Sequence, residues 1–170
     1  MPNEWWRSFP SPDALDREAI AALLPHRGHM ALLDRAAPGP EGCWIGEVLI
    51  RAEAFWAAGH FPVPAVQENP RFAIGPIFPG VLMVESAAQL GILHWRHAAG
   101  LEDTRGKLML FKEIRETDFK KEVRPGAVLL IRSVMEKCGR RLMRCSFEGV
   151  SPAGEAGIPV FTCAITGLAA

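Results

Sequence analysis

The chain has 170 residues, and its 19 Lys and Arg are balanced by 19 Asp and Glu, so a bulk electrostatic affinity for nucleic acid is excluded. With 49% apolar and 22% charged residues it is no disordered segment, and its length suits one domain with a substantial core over 1–170. No apolar run reaches the roughly 18 residues that would cross a bilayer, and MPNEWWRSFPSPDALD lacks the basic-then-apolar order of a signal peptide, so a soluble, cytoplasmic protein is expected.

SPDALDREAIAALLPHR offers Ser11 or Asp13 as a helix cap, then apolar positions at Ala14, Leu15, Ala19, Ile20, Leu23 and Leu24 before Pro25. That spacing predicts a short amphipathic helix. HMALLDRAA and GCWIGEVLIRA read as the first two strands, separated by PGPEG, which breaks both helix and strand. The segment from Pro62 to Pro79 is proline-rich and reads as one ordered, partly rigid loop. From Gly80, GVLMVESAAQLGILHWRHAAG is too long for a strand and apolar around most of its circumference, which predicts a helix enclosed by protein.

Downstream, GKLMLFKEIRETDFKKEV, GAVLLIRSVMEKCG, RRLMRCSFEGVS and IPVFTCAITG are strand-length segments divided by RPG, CGRR and SPAGEAG. About six strands and one central helix, without strand–helix alternation, predict an α+β fold whose antiparallel sheet wraps that helix. Cys43, Cys138, Cys145 and Cys163 form no Cys-x-x-Cys pair and read as reduced packing residues. His94 and His97 have no third ligand at a fitting spacing, so a helix-end or surface role is expected rather than a metal.

Three groups could carry chemistry. Glu85 lies in an apolar helix, where burial of a carboxylate should raise its pKa and suit it to general acid catalysis, although a lone helical Glu more often reaches the surface or pairs with arginine. Gln89 shares its helix face. Pro79-Gly80 starts the helix, so the first amides, at Gly80, Val81 and Leu82, are available to a carbonyl oxygen. His60 sits in a Gly-His-Phe-Pro turn, where it is either a general base or a loop histidine bonded to backbone. Together these are the parts needed to remove a proton beside a carbonyl and expel a β-hydroxyl.

At these residues the chain resembles the 3-hydroxyacyl-[acyl-carrier-protein] dehydratases of bacterial fatty acid synthesis. His60-Phe61-Pro62, Pro76-x-x-Pro79-Gly80-Val81-Leu82, Glu85 and Gln89 match their motif, and LLPHRGHMALLDRA, EAFWAAGHFP and FKKEVRPGAVLLI extend the likeness over roughly Leu23 to Leu168. The resemblance implies a hotdog fold and a homodimer whose sites each take His from one chain and Glu from the other. It implies that His60 removes the α-proton and Glu85 protonates the leaving hydroxyl, while amides near Gly80 and Val81 bind the thioester carbonyl and Phe61 and Gln89 line the site. Glu rather than Asp at position 85 is similar to the dehydratase-only branch.

It further implies a substrate carried on phosphopantetheine, from acyl carrier protein or coenzyme A, and no metal or redox cofactor. Lys120, Lys121, Arg124 and Arg71 are candidates for carrier docking, or equally for solvating an edge strand. His26 and Arg27 match the family opening and are expected to be structural. Two departures stand out: the N-terminal extension over 1–14, with Trp5 and Trp6, and the insertion VPAVQENPRFAIG over 63–75, where the family motif has two residues. A hotdog thioesterase and a non-catalytic acyl-binding or partner subunit remain the alternative readings.

Overall fold

The computed structural model describes residues 4–61, 74–153 and 156–170. The insertion therefore lies outside the described residues except for Ile74 and Gly75, and Arg71 lies outside them too.

The first helix, α1, runs over Arg17–Leu23 and is capped by Asp16, which accepts from the Ala19 amide, rather than by Ser11 or Asp13. The reason is tertiary. Leu15 exchanges both backbone hydrogen bonds with Ala36, at 2.7 and 3.0 Å, so it is extended and the helix cannot begin before it. The predicted first strand is also shorter and later than expected. Gly28–Met30 forms a turn of 3-10 helix, and β1 covers only Arg35–Pro38.

The remaining strands are β2 (Trp44–Leu49), β3 (Met109–Phe119), β4 (Val128–Cys138), β5 (Leu142–Ala153) and β6 (Ala156–Ala169). They form one six-stranded sheet in the order β1-β2-β4-β5-β6-β3, antiparallel at every pairing. The long helix α2, Gly80–Ala99, begins one residue after Pro79 and ends at Gly100, whose φ of 92° suits glycine. Its residues from Met83 to Trp95 are buried apart from Glu85, so the sheet curls around a helix that is enclosed as its composition requires.

Close approach of helix to sheet depends on Gly91. A Cβ there would meet the Phe147 ring at 2.9 Å and the Met143 methyl at 3.1 Å, and both side chains are fully enclosed. Gly91→Ala is expected to lower stability by about 1–3 kcal/mol despite its better helix propensity, read from the urea midpoint.

The N-terminal extension is packed rather than loose. Trp5, 2% exposed, forms a small second core with Cys43, Ile45, Leu130 and Val150, while its indole N–H donates to Glu148 at 3.1 Å and Arg132 lies over its ring. Three of the four cysteines are buried packing residues as expected, whereas Cys138 is exposed; all are free thiols.

His94 departs from its expected surface role. It is 4% exposed, stacks on Trp44 and has Nδ1 at 3.1 Å from the Ser133 hydroxyl. Burial first, then the nearby His97, pushes it down to about 4. Because the unfolded chain takes up this proton from about pH 6.5, stability should fall as pH drops through the window from 6.5 to 4. The loss should reach about 2 kcal/mol by pH 5 and about 3 kcal/mol when complete. Urea midpoints at pH 7 and pH 5 test this, with His94→Gln expected to show a smaller drop than the wild type.

Candidate active site

His60 ends the chain of turns that follows β2. Its amide donates to Trp56 O at 2.8 Å, and the next residue, Phe61, is held at φ 59°, a left-handed conformation that costs a non-glycine residue energy and commonly marks a functional turn. The two rings meet edge to face, 4.7 Å apart. The key contact is 2.7 Å between His60 Nδ1 and the carbonyl of Ile77. A carbonyl only accepts, so Nδ1 carries the hydrogen and the lone pair of the neutral ring is on Nε2. The histidine is thus bonded to backbone and equipped as a base at once; the two readings from the sequence do not exclude each other.

Ile77 reaches this position because Phe78 is fixed on either side. Its amide donates to Val123 O at 2.8 Å, and its buried ring packs on Trp56 at 5.3 Å. Two residues later Pro79 turns the chain into α2. Its carbonyl accepts from both Leu82 and Met83, so Leu82 drops out of the expected set of open amides. Gly80 and Val81, the other two, have no recorded backbone acceptor among the described residues.

These groups share one groove of about 460 Å³, lined by His60, Ile77, Gly80, Val81, Phe119 and Lys120 among others. Phe119, at the end of β3, lies so near the helix start that a Cβ on Gly80 would sit 2.9 Å from its ring. The half-exposed Phe119 ring would have to shift to admit a side chain there. Lys121 and Glu122 complete the rim. Arg124 is not among the groove-lining residues; it contacts Glu122 of the rim at 2.9 Å and the Ile74 carbonyl.

Glu85 is not among the groove-lining residues. It lies one helical turn beyond Val81, with its side chain 18% exposed. Gln89, almost wholly buried, donates from Nε2 to Glu85 Oε1 at 2.8 Å and to Met30 O at 2.7 Å, while its own Oε1 accepts from the Leu32 amide at 3.1 Å. It therefore ties the Glu85 face of α2 to the segment before β1. His26 Nε2 stands 3.3 Å from the same oxygen of Glu85. Sequence reasoning assigned His26 a structural role and missed this contact, and it missed Ile77 and Phe119 altogether; the only sequence signal was the match of His26 to the family opening.

Residues 24–151 match the family model of the FabA-like domain. The chain belongs to the FabA-like family. A relative from Chloroflexus aggregans, named 3-hydroxyacyl-[acyl-carrier-protein] dehydratase FabZ, is 36% identical over 129 residues, covering 74% of this chain and 78% of the relative. The Escherichia coli protein of that name is 37% identical over 139 residues, covering 81% and 82%. Among solved structures, the dehydratase heterocomplex ApeI:P of Xenorhabdus doucetiae aligns with a TM-score of 0.61 at 17% identity over 88% of this chain and 89% of that one. A mutant thioesterase of Pseudomonas aeruginosa aligns at 0.58 and 12% identity, covering 91% and 94%. These last two likenesses establish the hotdog fold of this FabA-like chain. The family match leaves the packed N-terminal extension outside it.

Proposed function

We propose that this FabA-like protein dehydrates (3R)-3-hydroxyacyl thioesters to trans-2-enoyl thioesters. The observation that carries this reading is the meeting, in one groove, of the His60 ring, its Nε2 lone pair free to accept a proton, with the open amides of Gly80 and Val81. A thioester oxygen accepting from those amides acidifies its α-proton and places it before the base. His60 Nε2 takes the proton, the electron pair forms the α,β double bond, and the C3–O bond breaks as a carboxyl proton from Glu85 goes to the departing oxygen, leaving as water. The elimination transfers two protons and expels the hydroxyl as water with no net oxidation or reduction, so these steps call for no metal or redox cofactor.

Glu85 reaches the groove from a second copy of the chain. Support for a homodimer comes from β3, which is the outer strand of the sheet and presents Leu110, Phe111, Ile114 and Phe119 at 43–57% exposure. Val81 at the helix start is 74% exposed. An 11-residue edge strand that leaves four large apolar side chains exposed among its charges supports pairing with a second copy, and joining two β3 edges makes one continuous sheet. The substrate's phosphopantetheine arm, from acyl carrier protein or coenzyme A, enters past Lys120 and Lys121, which give the groove rim its positive charge; the reaction is placed in the cytoplasm, within fatty acid or specialised lipid synthesis. The test is the rise in enoyl-thioester absorbance when purified protein meets a 3-hydroxyacyl thioester. Release of free thiol without enoyl product would transfer the assignment to a thioesterase.

A further inference from the structure

The geometry points to His26 as a positioning residue that, as a neutral hydrogen-bond donor to Oε1 of Glu85, leaves Oε2 as the oxygen that holds and delivers the proton. The inference rests on the dehydration reading for the purpose of that proton, but the contact itself is independent of it.

The orientation of Gln89 settles the first step. Its amide nitrogen faces the Met30 carbonyl and its oxygen faces the Leu32 amide, so the group has only one satisfactory flip and must donate to Glu85 Oε1. Oε1 is thus an acceptor whatever the protonation state of the carboxyl, and the acidic hydrogen belongs on Oε2.

The tautomer of His26 follows by elimination. Its Nδ1 is buried with no hydrogen-bond partner among the described residues. With hydrogen on Nδ1, a buried donor would be orphaned and two lone pairs would face each other at 3.3 Å. With hydrogen on Nε2, the ring donates to Oε1 and only an acceptor is left without a partner, the less costly arrangement. Neutrality matters here. A permanent cation beside Oε1 would favour the carboxylate and deprive a general acid of its proton, whereas a neutral N–H orients the carboxyl without holding it ionised.

The surroundings favour the neutral ring. Burial, opposed by the Glu85 charge and reinforced by Arg27, holds His26 below its ordinary value. The charged groups nearest the pair are Arg27, whose guanidinium is bound by the Leu24 and His26 carbonyls, and Arg17 of α1, which lines the same narrow seam as His26 and Gln89 and is paired with Asp34 at 2.8 Å. Among the described residues neither arginine bonds to Glu85.

Three variants test the assignment: His26→Phe removes the donor at similar bulk, His26→Gln keeps a neutral N–H, and His26→Lys adds a charge. Two readouts are taken, steady-state dehydration kinetics and the pH midpoint of the Glu85 carboxyl carbon followed by 13C NMR. His26→Phe should lower kcat about tenfold with KM little changed and move the midpoint upward, His26→Gln should restore both, and His26→Lys should move the midpoint downward and lower kcat at neutral pH. An unchanged midpoint in His26→Phe overturns the inference; should that variant not fold, equal midpoints in His26→Gln and His26→Lys do so. A wild type that turns over no 3-hydroxyacyl thioester, yet shows these midpoint shifts, would remove the dehydration reading and leave the contact standing.

Discussion

His60→Ala should leave the chain folded and lower dehydration about 10²- to 10⁴-fold, the range by which a positioned general base accelerates proton transfer. Among the described residues the ring makes one side-chain hydrogen bond, from Nδ1 to Ile77 O, and it is half-buried at the groove wall, so its removal empties no core. Unfolding in urea should differ from wild type by no more than about 1 kcal/mol, the net worth of one such bond. The loss should fall on kcat, because the amides of Gly80 and Val81, proposed above to bind the carbonyl, remain in place. A variant that keeps its rate, or one that loses rate in proportion to lost folded protein, would remove His60 from the role of base.

How much of this was legible beforehand depends on where each residue finds its partner. The course of α2 follows from its length and its apolar circumference, and that of β2 from a strand-like segment set off by the PGPEG breaker, because both are determined by their own composition. The start of α1 does not, since Leu15 is held extended by Ala36 of β1, and no local pattern reports a partner that far along the chain. His94 was misplaced for the same reason. Its place with Arg96 and His97 near the end of an apolar helix suggests a wetter, surface position, but Trp44 of β2 and Ser133 of β4 close over it. In the site, His60, Gly80 and Val81 were named together from the motif and share a groove. The carbonyl that fixes the tautomer of His60 is contributed by Ile77, on the far side of the insertion, and peptide carbonyls leave no trace in residue identity.

Glu85 gives the sharper expectation. Glu85→Ala alone should lose activity by a factor comparable to His60→Ala, and so should a chain carrying both changes. Mixing the two single variants under conditions that allow subunit exchange should restore activity to about a quarter of wild type. Half of the dimers are then mixed, and each mixed dimer has one site with both groups and one with neither. The geometry asks for this result. Within one chain, His60 faces the groove with Gly80 and Val81, while Glu85 is drawn towards His26 and Gln89, and no hydrogen bond joins His60 to Glu85 among the described residues. A second chain joined along β3, whose Phe119 borders the same groove, would bring its own α2 to the open side. Recovery on mixing therefore requires a site built from two chains, whereas two inactive variants that stay inactive after proven exchange would place acid and base in the same chain.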